Sequence, residues 1–287
     1  MLRMEFLNKN GKYDKSKLPS IYGYTNNKDI KFSYIKGLYI DKFRSMSGRY
    51  LKLGKYITLV TGKNGTMKSS LLGLIAHPFS SPNNAKDMYG NELKTSYSDV
   101  FRLSLDKDLD EYIYYIDAIT EKEEEILEPV RIYRRESEER HRVTVGDGNR
   151  KGEGNFALNT SYINLQRLCP IIETNAHKVD IELSQYDEKW IAHSYEAILQ
   201  RTAYSQSETI SDDKRKNTLA PSESYYDFNS ISSGEDNLGY ILCKMLAFEK
   251  NKREGTFLQG LLCIDEIEAS LHPSAQAFFF GVFNKME

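Results

Sequence analysis

The residues Gly62-Lys63-Asn64-Gly65-Thr66-Met67-Lys68-Ser69 have the Gly-x-x-x-x-x-Lys-Ser form of a phosphate-binding loop. Binding a triphosphate takes many donors with little side-chain obstruction. Glycines let the backbone wrap so that consecutive N–H groups point inward, and a following helix adds its positive end. In such a loop Lys68 reaches the β- and γ-phosphates as a point charge, and the Ser69 hydroxyl ligates Mg²⁺, with Ser70 beside it. The position before the lysine usually carries glycine. Here it is Met67, whose Cβ predicts crowding of the phosphates or a slightly wider loop. The bland alternative is a strand-to-helix turn that happens to contain Lys-Ser.

A second cluster closes the run Leu261-Leu262-Cys263-Ile264-Asp265-Glu266, four apolar residues followed by two carboxylates. In open α/β sheets ligands bind beyond the carboxyl ends of the strands. Asp265 there suits Mg²⁺, which keeps most of its waters and takes few carboxylates. Glu266 suits a general base for an attacking water. Two solvated acids at a strand end are the plain reading of such a pair taken alone. A third feature, Ser232-Ser233-Gly234-Glu235-Asp236, reads as a helix N-cap and also as an anion site at a helix N-terminus. Since the chain already has one phosphate loop, a second anion site points to a partner's nucleotide.

These groups need elements to hold them. Residues 1–28 are polar and read as a loosely held arm. Ile35–Arg44 alternates as a strand, and Tyr56-Ile57-Thr58-Leu59-Val60 predicts another that runs into the glycine loop. Leu71–Ala76 is an apolar run of helical type that stops before Pro78. Asn83–Thr95 reads as a loop. Glu111–Ile119, Pro129–Arg135 and Arg140–Val145 read as Tyr-, Ile- and Val-rich strands of an inserted antiparallel sheet. The charged stretches 121–125 and 136–139 are then its hairpin tips. Phe156–Leu165 is a further strand ending at Gln166. Glu188–Gln200 predicts a helix with Trp190, Ile191, Tyr195, Ile198 and Leu199 on one face. Ser205–Glu223 reads as a polar loop, and Leu238–Lys250 as a second helix. No repeat or heptad pattern is visible.

Composition bounds the rest. The 287 residues are 40% hydrophobic and 28% charged, enough for a substantial core and unlike a disordered chain. Lys and Arg number 39 against 41 Asp and Glu, which argues against a globally basic nucleic-acid binder. Cys169, Cys243 and Cys263 lack zinc spacing, and no apolar stretch is long enough to span a bilayer. The first ten residues lack the apolar core of a secretory signal. A cytoplasmic location, with no membrane partner, is expected.

Taken in order, Gly62–Ser69, Ile231-Ser232-Ser233-Gly234-Glu235 and Leu262–Glu266 resemble the Walker A, ABC-signature and Walker B motifs. The continuation Ile267-Glu268-Ala269-Ser270-Leu271-His272-Pro273 is similar to the DE-x-E-x-x-LHP stretch of RecF/SMC/OLD-type AAA ATPases, and Phe43-Arg44-Ser45 to their FRS segment. The likeness covers roughly 35–287. It implies an α/β P-loop NTPase of ABC type with an inserted antiparallel β subdomain and a helical signature lobe over about 167–255, the head spanning 29–287. It also implies ATP and Mg²⁺, with ATP sandwiched between two heads in a homodimer or higher oligomer. Carried over, Lys68 and Ser69 bind phosphate and metal, Asp265 is the metal carboxylate and Glu266 the base. Ser233 and Gly234 touch the opposite chain's γ-phosphate. Gln166 is the glutamine that senses metal and water, with Gln185 and Gln200 as alternatives. The resemblance further implies DNA-linked work such as repair or phage defence, and control of an effector nuclease or toxin. Other readings are a nucleotide switch with little hydrolysis and a transporter ATPase subunit, the second disfavoured by the DE-x-E-x-x-LHP run.

Three departures accompany it. Met67 replaces a glycine, Ser233 stands where many relatives have Gly, and the strand and switch histidine expected after Walker B lie beyond Glu287, which predicts a fragment. His272, beside Pro273, reads as structural. Arg131, Arg134, Arg135, Arg140 and Arg142 could face DNA, but Glu136, Glu138 and Glu139 interleave them as on a solvated hairpin. The run Lys214-Arg215-Lys216 reads as a solvated loop. The tyrosines could stack on bases, although packing accounts for most. His77, His141, His177 and His193 have no metal spacing.

Overall fold

A computed structural model of the chain describes residues 15–135, 139–148, 150–201, 206–212, 216–255 and 259–283. The chain divides into two compact units, Met1–Ser80 with Thr95–Leu158, and Ser81–Lys94 with Asn159–Glu287.

The first unit is built on a five-stranded antiparallel sheet, order β2-β1-β4-β5-β6. Its strands are β1 (Phe32–Phe43), β2 (Met46–Lys52), β4 (Tyr112–Thr120), β5 (Glu125–Arg135) and β6 (Arg140–Val145). Strand β1 meets β2 through a two-residue turn in which Arg44 takes a φ of 51°. The first strand therefore starts earlier than its alternation indicates, and β2, too polar to stand out, completes the hairpin. The antiparallel sheet is not confined to an insertion after the first helix, since β1 and β2 precede the glycine loop. Gly37 permits the close β1–β2 approach: a Cβ there would lie 2.5 Å from the Leu51 carbonyl oxygen.

Helix α1 (Lys68–Ala76) buries Leu74, Ile75 and Ala76. Its end is fixed by Tyr114, whose hydroxyl donates to the Leu74 carbonyl at 2.8 Å and lies 2.7 Å from His77 Nε2. The strand expected at Tyr56–Val60 does not form. Among the described residues this segment has no ladder partner, and Tyr56 and Leu59 are exposed. A local turn replaces the ladder, with the Gly54 N–H donating to Thr58 Oγ1 at 2.8 Å. Short β3 (Phe79–Ser80) pairs in parallel with β7 (Phe156–Ala157), bringing Phe32, Phe79 and Phe156 into mutual ring contact. Short α2 (Tyr97–Val100) begins on a Ser96/Asp99 capping box, and Phe101 and Val100 pack against Gly73 of α1.

In the second unit β8 (Asn159–Ile163) and β12 (Gly260–Ile264) pair in parallel, in register from Asn159↔Gly260 to Ile163↔Ile264. Their apolar residues join helices α3 (Gln185–Leu199), α4 (Ser233–Arg253) and α5 (Pro273–Phe283) in one core. On α3, Ile191, Tyr195 and Ile198 are fully buried, while Trp190 and Leu199 pack at the rim, as the helical pattern predicts. Short β9 (His177–Lys178) with β10 (Gln206–Ser211) and β11 (Asn217–Ser222) forms a three-stranded sheet, and β10 and β11 fall where Ser205–Glu223 reads as loop. Thr209, Ile210, Thr218, Leu219 and Ala220 are buried there. The strip 81–94 joins this unit through Asp87, which pairs with Lys244 of α4 at 2.6 Å. No helix among the described residues is long and apolar enough to cross a membrane.

Candidate functional site

The phosphate-loop motif lies wholly in the first unit. Gly65 has a φ of 77° and Met67 one of 69°. Two left-handed residues in three make the reverse turn that delivers the chain into α1. Met67 is the N-cap of that helix, and no side chain among the described residues caps it. The first-turn amides are thus open to water or to an anion, with the helix dipole behind them. Lys68 Nζ donates back to the carbonyls of Gly62 at 3.0 Å and Lys63 at 3.3 Å, folding its charge over the loop. Thr66 Oγ1 closes the turn on the Lys63 carbonyl at 2.7 Å. A Cβ at Gly62 would come within 2.9 Å of that hydroxyl oxygen, so a side chain there would have to displace Thr66 Oγ1. The loop is open to solvent from Gly62 to Thr66, and Ser69 is half-buried. This donor set fits a polyphosphate.

The remaining sequence-predicted site residues lie in the second unit. Parallel pairing sets the carboxyl ends of β8 and β12 side by side, where Gln166 follows one strand and Asp265 and Glu266 the other. Asp265 is buried; its N–H donates to the Ile163 carbonyl at 2.9 Å and its carboxylate accepts from the Tyr162 hydroxyl at 2.9 Å. Burial, then the charge of Asp265 and that hydrogen bond, hold the Tyr162 phenol well above its ordinary range. Tyr162 therefore stays a donor that orients Asp265. Glu266, half-buried, has a φ of 49°, an uncommon conformation for a residue with a Cβ. Gln166 is exposed in the short 3-10 turn Leu165–Leu168. Gln185 begins α3 and Gln200 caps its end.

Ser232 caps α4 as the sequence predicts: its Oγ accepts from the Glu235 N–H at 3.2 Å while Glu235 Oε2 accepts from the Ser232 N–H at 2.9 Å. The next residues, Ser233 and Gly234, occupy the first turn, Ser233 exposed. A Cβ on Gly234 would lie 3.1 Å from the Ser270 carbonyl oxygen, so the start of α4 sits against the segment that follows Glu266.

Four residues at this site escape sequence reading. Arg167, fully buried, donates to the Asn164 carbonyl at 2.9 Å and the Glu266 carbonyl at 2.6 Å. Lys216 is equally enclosed and pairs with Asp236 at 2.6 Å. Here the solvated-loop reading of Lys214-Arg215-Lys216 is corrected for Lys216; the other two lie outside the described residues. A lysine goes inside only with a counter-charge, and Asp236 stands twenty positions on, invisible to local pattern. Asn237 and Tyr162 complete the set. The position of Arg167, directly after the glutamine expected at a strand end, is the one local signal for any of them; the strand in fact stops at Ile163, and Gln166 lies in the following 3-10 turn.

Arg131 pairs with Glu111 at 2.6 Å, and Arg134 donates to the Leu105 carbonyl at 2.9 Å; Glu136 and Glu138 lie outside the described residues. His272 Nδ1 accepts from the Ser274 N–H at 3.3 Å at the start of α5, a structural role. Residues 1–14 of the expected arm lie outside the described residues; the rest of it folds as short 3-10 turns from Lys15 to Asp29.

No curated protein matches the chain. The model of one protein family, described as "AAA domain, putative AbiEii toxin, Type IV TA system", matches residues 57–287.

Proposed function

The chain belongs to this AAA-domain family, and from that premise we propose that it is an ATP-binding and ATP-hydrolysing head of the ABC-type, RecF/SMC/OLD-like group. Membership gives it the α/β fold of a P-loop NTPase. The observation that carries the reading is the 62–69 loop: two left-handed residues turn the chain so that an uncapped helix presents its first amides beside the Lys68 ammonium.

Bound ATP with Mg²⁺ supplies a γ-phosphoryl group open to in-line attack by water. Gly62, Lys63, Asn64, Gly65, Thr66 and Met67 hold phosphate oxygens through backbone N–H groups, and Lys68 adds its charge. Ser69 and Asp265 are the residues that would hold Mg²⁺, with Ser70 at the loop's end. Glu266 takes the proton of the attacking water, and Gln166, at the neighbouring strand end, orients water and metal. Ser233 and Gly234 serve the nucleotide of a second head, so that binding joins two chains and turnover parts them. The toxin and TA wording of the family description supports a role in defence, with the heads gating an effector nuclease or toxin; DNA is a candidate signal.

Glu266→Gln is expected to keep nucleotide affinity, lower phosphate release by about 10²–10⁴-fold, and accumulate ATP-dependent dimers in sedimentation. Turnover at the wild-type rate would remove Glu266 from the base role. A second reading, favoured by Met67, is a nucleotide switch with little hydrolysis. It predicts that wild type and Glu266→Gln both bind ATP and release phosphate equally slowly.

A further inference from the structure

The stretch Glu266–Ser270 begins and ends on residues in the left-handed region, with φ of 49° at Glu266 and 62° at Ser270. Neither is glycine, so the turn carries strain that its surroundings must hold. It is gripped at two carbonyls. The Glu266 carbonyl accepts from the Ala269 N–H at 3.0 Å and from Arg167 Nη2 at 2.6 Å. The Ala269 carbonyl accepts from Asn237 Nδ2, on α4, at 3.0 Å. Arg167 is an expensive choice for such work. It is buried, spends its fork on two carbonyls, and its Nε has no partner among the described residues.

The same turn of chain is tied to the start of α4. Lys216 Nζ donates to the carbonyls of Arg167 at 2.8 Å and Cys169 at 3.1 Å, and pairs with Asp236 at 2.6 Å. Asp236 Oδ2 also accepts from the Ile171 N–H at 2.9 Å. Asp236 lies three residues after Ser233 on the first turns of α4. A continuous buried path therefore runs from α4 through Asp236, Lys216 and the 167–171 segment to the backbone of Glu266. Buried polar networks of this kind resist partial displacement, because each broken link strands a desolvated charge.

We propose that Arg167 is a positioning residue that holds the strained backbone of Glu266, and that the Asp236–Lys216 pair makes this hold depend on the placement of the α4 N-terminus. The inference deepens the ATPase reading and rests on it for the role of Glu266. A nucleotide docking at Ser233 and Gly234 is then registered at the proposed base within one chain, without any change in the phosphate loop. Asn237 gives the turn a second tether to the same helix.

Hydrogen exchange on the 287-residue chain without nucleotide tests the path apart from activity. The reporters are the amides of Asp265 and Ala269, each bonded to a carbonyl of the same unit. Arg167→Met is expected to speed their exchange about tenfold or more, leaving α3 unchanged. Lys216→Met is expected to speed exchange both at 166–171 and at these two amides. Should Lys216→Met not fold, Asp236→Asn, which keeps the shape and one acceptor, serves in its place. Faster exchange at 166–171 with unchanged Asp265 and Ala269 amides overturns the path. With ATP, Arg167→Met is expected to lower kcat about 100-fold with KM within about twofold; equal loss of binding and turnover, tracking a lowered Tm, would mark Arg167 as merely structural. If wild type itself proves unable to hydrolyse ATP, the catalytic reading falls while the exchange data still decide the path.

Discussion

Met67 is where the nucleotide loop carries its strain. At a φ of 69° glycine is comfortable and a side chain is not, which gives the motif's usual preference for glycine a conformational reason. Crowding by the Cβ, the difficulty that sequence predicts, falls at the right residue, but the left-handed backbone behind it is visible only in the structure. A linear, flexible side chain tolerates this region better than a β-branched one. Met67→Val is therefore expected to lower stability by roughly 1–2 kcal/mol in chemical denaturation, whereas Met67→Gly should not. If Met67→Val and Met67→Gly unfold at the same denaturant concentration, the left-handed turn is not the native conformation. Most residues that touch ligand in the proposed mechanism were legible because glycine, lysine and paired acids at fixed spacing have few other reasons to occur together. Arg167 and Lys216 were not, since their roles depend on partners distant in sequence.

At the scale of elements, the packing of α4 on β11 shows what a helix gains from one missing side chain. A Cβ on Gly239 would stand 1.8 Å from the Leu219 carbonyl oxygen and 2.5 Å from the Tyr195 hydroxyl. That hydroxyl donates to the Leu219 carbonyl at 2.8 Å, locking α3, α4 and β11 at one point. Gly239→Ala improves helix propensity by about 1 kcal/mol yet is expected to cost about 3 kcal/mol by overpacking, read as a lowered Tm. An unchanged or raised Tm would show that α4 stands off from β11. Helices α1, α3 and α4, and the strands β4 to β6, were readable from their apolar pattern and β-branched or aromatic content, β6 to the residue, whereas α2 and α5 were not. The pair β10–β11 was not, because Ser, Thr and Asn face its interior and satisfy one another, as Ser211 Oγ does with Asn217 Oδ1 at 2.7 Å. Tyr56–Val60 failed in the opposite direction. Alternation marks a segment able to pair, and pairing takes a neighbour that no local pattern supplies.

For the molecule as a whole, two buried groups of the first unit give opposing pH slopes. Burial presses His77 down to about 3, so that below the ordinary histidine range the unfolded chain takes a proton the folded one refuses. Stability from His77 is present above pH 6.5 and is lost on acidification. Glu128 is raised to about 7 by burial, against the opposing charge of its partner Arg150. Its contribution is present below the ordinary glutamate range and is lost as pH rises through 7. Between about pH 4.5 and 6.5 each is worth about 3 kcal/mol, of opposite sign, so the two contributions nearly cancel there in the wild type. Glu128→Gln should expose the histidine slope, stability falling on acidification, and His77→Gln the reverse. Circular dichroism follows this, with Trp190, the single tryptophan, reporting the second unit separately. Identical slopes in wild type and both variants would refute the assignment. The interleaving of the two units also has a consequence for birth on the ribosome. Asp87 is made 157 residues before Lys244, its buried counter-ion. At ordinary elongation speeds the 81–94 strip must wait roughly ten to thirty seconds for its place, a span in which a chaperone has time to hold it.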